Sequence, residues 1–238
     1  KFNGLWLIMN IDVPLLETQS LSKTFDAGED SIQPLQSIDF VAKSGNFIAI
    51  MGPSGSGKTT LLNLMAGLDK PTDGKVLFEG KDVVQMSEKE LTQFRRHSLG
   101  FVFQSFMLMP LLSAFENVEL VLRISGSGSS ERKDRTLKAL EMVGMAHRMN
   151  HRPHELSGGE KQRVAIARAT VSDPYIIFAD EPTAELDSIN AQAIFGIFKQ
   201  LTIEKGMTVI TTTHDATLID MASEVYELRD GVLHKTSS

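Results

Sequence analysis

The sequence predicts an α/β fold: a core with an antiparallel β portion, carrying an α-helical subdomain inserted between its two halves. Three observations predict it. Short β-like runs alternate with turns through the first third of the chain. The middle third is rich in Leu, Met, Ala, Glu and Arg with few β-branched clusters, and the last third returns to apolar strand-like runs.

The elements follow in order. "LLETQ" (15–19), "SIDFVA" (37–42) and "NFIAIMG" (46–52) read as strands. "PTDGKVLFEGKDV" (71–83) sets Asp73-Gly74 and Glu79-Gly80 around "KVLF", a hairpin pattern. Between them, Leu61, Leu64, Met65 and Leu68 recur at helical spacing. Helices are expected from Ser105 to about Glu155, interrupted by the flexible connector "SGSGSS" (125–130). "LGFVFQ" (99–104), "YIIFAD" (175–180) and "MTVITTTH" (207–214) are strand-like, and "VYELRDGVLHK" reads as a hairpin turning at Asp230-Gly231. The chain thus reads as one domain over 15–238. Its core comprises 15–104 and 163–238, its helical subdomain about 105–162, and 1–14 form an N-terminal extension in which Met9 makes 1–8 candidate upstream sequence.

Bulk composition narrows the chemistry. The 238 residues carry a net charge of −6, so no broad basic footprint for nucleic acid is present. With no cysteine, disulfides, Cys-based zinc sites and thiol catalysis are excluded. No apolar run reaches the roughly 18 to 20 residues of a membrane span, and "KFNGLWLIMNI" is too short for a span and poor as a signal peptide. Any membrane connection is therefore expected through a partner.

"GPSGSGKT", Gly52 to Thr59, matches G-x-x-x-x-G-K-[ST] between a strand and a helix. The glycines let backbone N–H groups of Gly52, Pro53's successors Ser54, Gly55, Ser56 and Gly57, and the first helical turn at Thr59 and Thr60 close around phosphates. Lys58 reaches the β and γ phosphates and the Thr59 hydroxyl faces Mg²⁺. The helix N-terminus adds partial positive charge. The motif resembles that of P-loop NTPases, which implies a RecA-like core. "YIIFADEPT" ends a strand in Asp180 and Glu181; Asp180 is placed for the metal and Glu181 for the attacking water. His214 and Gln104 close two further strands, which puts His214 near the γ phosphate and Gln104 near the metal or the water. The bland alternatives are a solvated strand end for the carboxylates and plain surface residues for His214 and Gln104; the intact phosphate loop outweighs them.

A second helix start is "LSGGE" (156–160). Ser157 and Glu160 make a capping box, but Gly158 and Gly159 would weaken a first turn and suit a close backbone approach. Together with "GPSGSGKT", "FQ" (103–104), "ADEPT" and "TTTH", this stretch resembles the ATPase subunit of an ABC transporter, over essentially Leu15 to Lys235. Within that family "GFVFQSFMLMPLLSAFENVEL" (100–120) is similar to the lipoprotein-releasing and macrolide-exporting group (LolD, MacB and YbbA types).

The resemblance implies an ATP- and Mg²⁺-dependent ATPase that pairs head to tail with a second ATPase subunit, an identical one in the simplest case. Ser157, Gly158 and Gly159 would then contact the γ phosphate held by the partner's phosphate loop. Phe25, in "LSKTF", falls where the family has an aromatic that stacks on adenine, and Asp187 matches the loop that crosses the dimer interface. An integral membrane permease is the implied partner, at the cytoplasmic face of the cell membrane, with export or extraction of lipoprotein or a hydrophobic substrate as the work done. Phe106, Met107, Leu108 and Met109 would line a groove for a permease helix, the alternative being that they pack the subdomain core. A family member that transmits force across a membrane without moving substrate would use the same residues.

ABC-type DNA-repair ATPases would need a coiled coil or cysteine zinc elements, and translation factors of the family two such domains. A P-loop metabolic kinase fits neither LSGGE nor the His214 strand end. One departure stands out: the related group typically reads Gly-Asn where this chain has Ala184-Glu185. Glu185 adds negative charge near an interface rich in phosphates and carboxylates, which bears on dimer strength and basal rate while Asp180, Glu181 and Asp187 remain.

Overall fold

The computed structural model describes residues 13–27 and 30–236, so the N-terminal stretch discussed above lies outside the described residues apart from 13 and 14. Among the described residues the strands are β1 (Leu16–Ala27), β2 (Asp30–Ala42), β3 (Phe47–Met51), β4 (Asp73–Phe78), β5 (Lys81–Asp82), β6 (Leu99–Phe103), β7 (Ile176–Asp180), β8 (Thr208–Thr213), β9 (Glu224–Arg229) and β10 (Val232–Lys235). The α-helices are α1 (Lys58–Met65), α2 (Glu88–Ser98), α3 (Ala114–Ile124), α4 (Ser129–Met142), α5 (Gly158–Thr170) and α6 (Ser188–Lys205).

Two sheets result. The smaller has the order β2-β1-β4-β5 and is antiparallel throughout. The larger has the order β10-β9-β3-β8-β7-β6; its five strands from β9 to β6 run parallel, and β10 closes the edge antiparallel. The central strands β3, β7 and β8 are buried on both faces, which is why they read as continuous runs rather than alternating ones. Ile48, Ile50, Ile176, Phe178 and Ile210 point into a core shared with the small sheet, α1 and α2. Their neighbours Phe47, Ile177, Ala179 and Val209 point the other way, into a core built with α3, α4, α5 and α6. Both cores therefore grip the same sheet.

Local chemistry sets several boundaries. Ser87–Glu90, Ser113–Glu116 and Ser157–Glu160 form reciprocal capping boxes that start α2, α3 and α5. The Asp230-Gly231 turn has φ of 51° and 78°, the doubly left-handed geometry that suits a two-residue hairpin between twisted strands. Glu79-Gly80 turns likewise between β4 and β5. Asp73-Gly74 does not turn; it lies in β4, where a Cβ on Gly74 would sit 2.4 Å from the Ser20 carbonyl oxygen. The irregular pairing of β1 with β4 between Gln19 and Ser22 brings the two backbones that close. The stretch 105–113, expected as helix, has no α-helix; the chain there is a turn and loop ahead of α3. Gly100 in β6 faces the α5 carbonyl of Ala169, where a Cβ would come within 2.3 Å, so α5 lies directly against β6.

Candidate active site

Parallel register gathers four loops at one edge of the large sheet. Gly52 follows β3, His214 follows β8, Glu181 follows β7 and Gln104 follows β6, and Phe103 pairs with Asp180 across β6 and β7. This is the carboxyl edge, where open α/β sheets place their ligands.

The phosphate loop curls around its own lysine. Lys58 is buried, and its Nζ donates to the carbonyl oxygens of Gly52 (2.8 Å) and Pro53 (3.0 Å). Its charge is balanced by Glu181, whose Oε1 is 3.2 Å away. Glu181 Oε2 in turn lies 3.4 Å from His214 Nδ1. Glu181 is thus held between a lysine and a histidine, with a left-handed φ of 43°. For a non-glycine residue that conformation costs roughly 1–3 kcal/mol and persists where the surroundings over-determine it. Here the Glu181 N–H donates to Thr212 Oγ1 at 2.9 Å, which helps to hold it.

Asp180 is tied on both sides. Thr59 Oγ1 donates to its Oδ2 at 2.7 Å and Thr212 Oγ1 donates to its Oδ1 at 2.7 Å. The donor set fits nucleotide and a hard divalent cation. The Thr59 hydroxyl and Asp180 carboxylate are oxygen ligands at hydrogen-bond separation, and magnesium is usually held by one or two carboxylates plus substrate phosphates. No cluster of three acidic or histidine side chains exists among the described residues to hold a metal alone. Ser56 Oγ is buried in the loop without a partner, a hydroxyl that a phosphate oxygen would satisfy. Gly55 faces open space, where a Cβ would meet nothing within 4 Å. A cleft of about 480 Å³ opens beside Pro53, Ser54 and Gly55, bounded by Gln33, Pro34 and Asp230.

Two predicted residues lie outside the contacts that tie Lys58, Thr59, Asp180, Glu181 and His214 together. Gln104 is exposed on the turn after β6. Phe25 lies on β1, 43% exposed, with Lys23 Nζ 4.9 Å from its ring centroid and that lysine paired to Asp69 Oδ2 at 2.8 Å.

The Ser157–Gly159 start of α5 has close neighbours in its own chain. A Cβ on Gly159 would sit 2.5 Å from Asn190 Oδ1, and one on Gly158 3.3 Å from Leu186 Cδ2 and 3.8 Å from Phe106 Cζ. The close approach expected of these glycines is therefore made, at Gly159, to this chain's own α6. Asn190 is held by Asp187, the N-cap of α6: its N–H donates to Oδ1 (2.9 Å) and its amide Nδ2 to Oδ2 (2.8 Å). The hydrogen bonds from Asn190 hold the Asp187 carboxyl below the ordinary carboxylate range. Ser157 itself is exposed at the helix tip.

Thr212 and Asn190 escaped sequence reasoning. Asn190 had a signal, since it lies three residues after Asp187 in an N-cap pattern; Thr212 sits in the "TTT" before His214 without distinguishing context.

Comparison with known proteins settles the family. The ABC transporter family model matches residues 35–184. The chain belongs to the ABC transporter family. It is an ATP-binding, ATP-hydrolysing member. An uncharacterized ABC transporter ATP-binding protein, MJ1508 of Methanocaldococcus jannaschii, is 48% identical over 217 residues, spanning 91% of this chain and 96% of that protein. The lipoprotein-releasing system ATP-binding protein LolD of Idiomarina loihiensis is 42% identical over 221 residues, 93% of this chain and 97% of that one. The macrolide export ATP-binding/permease protein MacB of Syntrophobacter fumaroxidans is 41% identical over 94% of this chain, which spans 32% of that longer protein. The ABC cassette MJ0796, solved as a dimer in a post-hydrolysis state with ADP and Pi, superposes with a TM-score of 0.85 at 41% identity, covering 94% of this chain and 99% of its own. The P-loop NTPase fold expected from the sequence agrees with this likeness. Among the described residues of this ABC ATPase, no helix is long and apolar enough to cross a membrane.

Proposed function

We propose that this ABC ATPase works as a head-to-tail pair around two ATP molecules and powers a membrane permease that exports or extracts lipoprotein or another hydrophobic substrate. The observation that carries the pairing is the division of the ATP chemistry. Lys58, Thr59, Asp180, Glu181 and His214 meet at one edge of the sheet, while the exposed cap Ser157 and its glycines belong to a different helix packed against α6. The dimeric state of MJ0796 supports the same reading.

The residues then take these roles. Gly52, Pro53, Ser54, Gly55, Ser56, Gly57, Lys58, Thr59 and Thr60 cradle the phosphates, and Phe25 stacks on adenine. Thr59 and Asp180, with Gln104, would hold Mg²⁺, which neutralises phosphate charge when bound. ATP phosphates draw the Lys58 ammonium away from Glu181, which leaves that carboxylate to orient and deprotonate water while His214 steadies the γ phosphate. Ser157, Gly158, Gly159 and Asp187 serve the partner's ATP. The core spans 15–104 and 163–238, and the helical subdomain about 105–162 meets the permease at the cytoplasmic face of the membrane; nucleic acid has no part. Leu108 packs into the helical-side core, whereas Met107 and Met109 are 57% and 51% exposed and offer the apolar contact.

Turnover of Glu181→Gln tests the assignment: a fall of roughly 10²–10⁴-fold with ATP binding retained is expected, the reach of a general base. Near-normal turnover would sink it. In the same variant, ATP should convert monomer to dimer in sedimentation, and Lys58→Ala should abolish that by weakening nucleotide binding.

A further inference from the structure

We propose that Arg168, assisted by Gln162, is a positioning residue that locks the Gln104 loop to the helix bearing Ser157–Gly159. Contact of that helix with a partner's ATP is thereby relayed to the same subunit's own site. The inference rests on the proposed roles of Gln104 and of the paired subunits.

Four contacts define the lock, all between α5 and the chain from the last residue of β6 to Met107. Gln162, fully buried, donates from Nε2 to the Phe103 carbonyl oxygen at 3.4 Å. Arg168 donates from Nη2 to the Phe106 carbonyl oxygen at 3.0 Å and from Nη1 to that of Met107. The Phe106 ring approaches Gly158, its Cζ lying 3.8 Å from where a Cβ would be. The carbonyls held lie on both sides of Gln104, at 103 and at 106–107.

The backbone between them is unusual in a way the lock explains. Phe106 and Met107 both have left-handed φ, 59° and 48°, which consecutive non-glycine residues rarely adopt. Two tight turns accompany them: the Phe106 N–H donates to the Phe103 carbonyl (3.3 Å) and the Met107 N–H to the Ser105 carbonyl (2.6 Å). Such a conformation persists only where its surroundings impose it. Burial lowers the Arg168 pKa from its ordinary value, so its charge needs the carbonyl acceptors as much as they need it. On the far side Asn117 fixes Met109 through both backbone groups, accepting its N–H at 2.7 Å and donating to its carbonyl at 3.2 Å. The loop is therefore pinned at both ends, directly to the helix of Ser157 through Arg168 and to α3 through Asn117.

Amide hydrogen exchange on the purified chain tests this. Without nucleotide, Arg168→Met should speed exchange across 104–109 about tenfold and leave 158–170 unchanged; Arg168→Lys, able to reach one carbonyl at a time, should fall between. In steady-state kinetics kcat should drop at least fivefold for Arg168→Met with ATP Kd unchanged. In the Glu181→Gln background, ATP should further protect 104–109 when Arg168 is present and not when it is Met. Unaltered exchange in the nucleotide-free Arg168→Met and Arg168→Lys chains would overturn the lock, and equal ATP-induced protection with and without Arg168 would overturn the relay. If Glu181→Gln stays monomeric with ATP, the paired-subunit reading and the relay fail together, and the nucleotide-free comparison still decides the lock separately.

Discussion

Asn190 concentrates several demands at one side chain. Its amide is fixed by Asp187 on one side and fills the space above Gly159 on the other, so the loop before α6 and the start of α5 are set by the same group. Because that amide is tied down, a methyl at Gly159 has nowhere to go. Gly159→Ala should destabilise the chain by about 1–3 kcal/mol, the usual range for overpacking. Urea unfolding of the single and double mutants checks it: with Asn190→Ala the added cost of the methyl should largely vanish, a non-additivity expected of side chains in contact. Glu160 offers a pH-dependent test of the same corner. The Ser157 N–H hydrogen bond, helped by the Ser157 hydroxyl and by Arg148 and Arg163, holds its carboxyl below the ordinary glutamate value. A depressed pKa means stability that is present above the unfolded value and lost as pH falls through the folded one. Denaturation midpoints followed from about pH 6 down to about pH 3 should therefore fall less steeply in Glu160→Gln than in the parent chain. Equal slopes would remove Glu160 from the account.

At the scale of elements, β7 carries most of the active edge and is anchored by its own middle. Phe178 is fully buried between the sheets, its ring 5.5 Å from that of Phe101, two residues before Asp180. Phe178→Ala should cost roughly 3–5 kcal/mol of stability by guanidinium unfolding, as buried aromatic truncations do. A loss below 1 kcal/mol would mean that the sheet does not depend on this ring. β3, β7 and β8 were legible in the sequence because strands buried on both faces read as unbroken apolar runs. α2 and α6 were not. Only Leu91 and Phe94 of α2 are buried, too few to show a period, although its Ser87–Glu90 box is the same signal that marks α5. In α6, Ile189 and Ile203 are 80% and 73% exposed, so apolar residues fall on both faces and blur the stripe. The active edge was legible wherever its chemistry is contiguous, as in Gly52–Thr59 and Asp180-Glu181. Thr212, Asn190 and Arg168 act across the fold, where only packing brings them to Asp180, Gly159 and the Met107 carbonyl.

For the whole molecule, the proposed pairing places like charges face to face. The chain carries a net charge of −6, and two copies closing around two triphosphates must overcome that repulsion. Glu185 adds to it at a sensitive place: its side chain is exposed, and its backbone carbonyl lies 3.9 Å from where a Cβ on Gly158 would be. In the proposed pair a carboxylate there would lie near the partner's ATP, where it would oppose closure without taking part in the chemistry. Glu185→Gln, which keeps the size and removes the charge, should tighten ATP-dependent dimerisation of the Glu181→Gln chain by about two- to tenfold at low salt. The gain should shrink as ionic strength passes ~0.15 M, where the screening length falls to about 8 Å. Sedimentation equilibrium across a salt series reads both effects. A dimer constant that ignores both the substitution and the salt would place Glu185 away from the partner's phosphates and leave its charge without consequence for the pair.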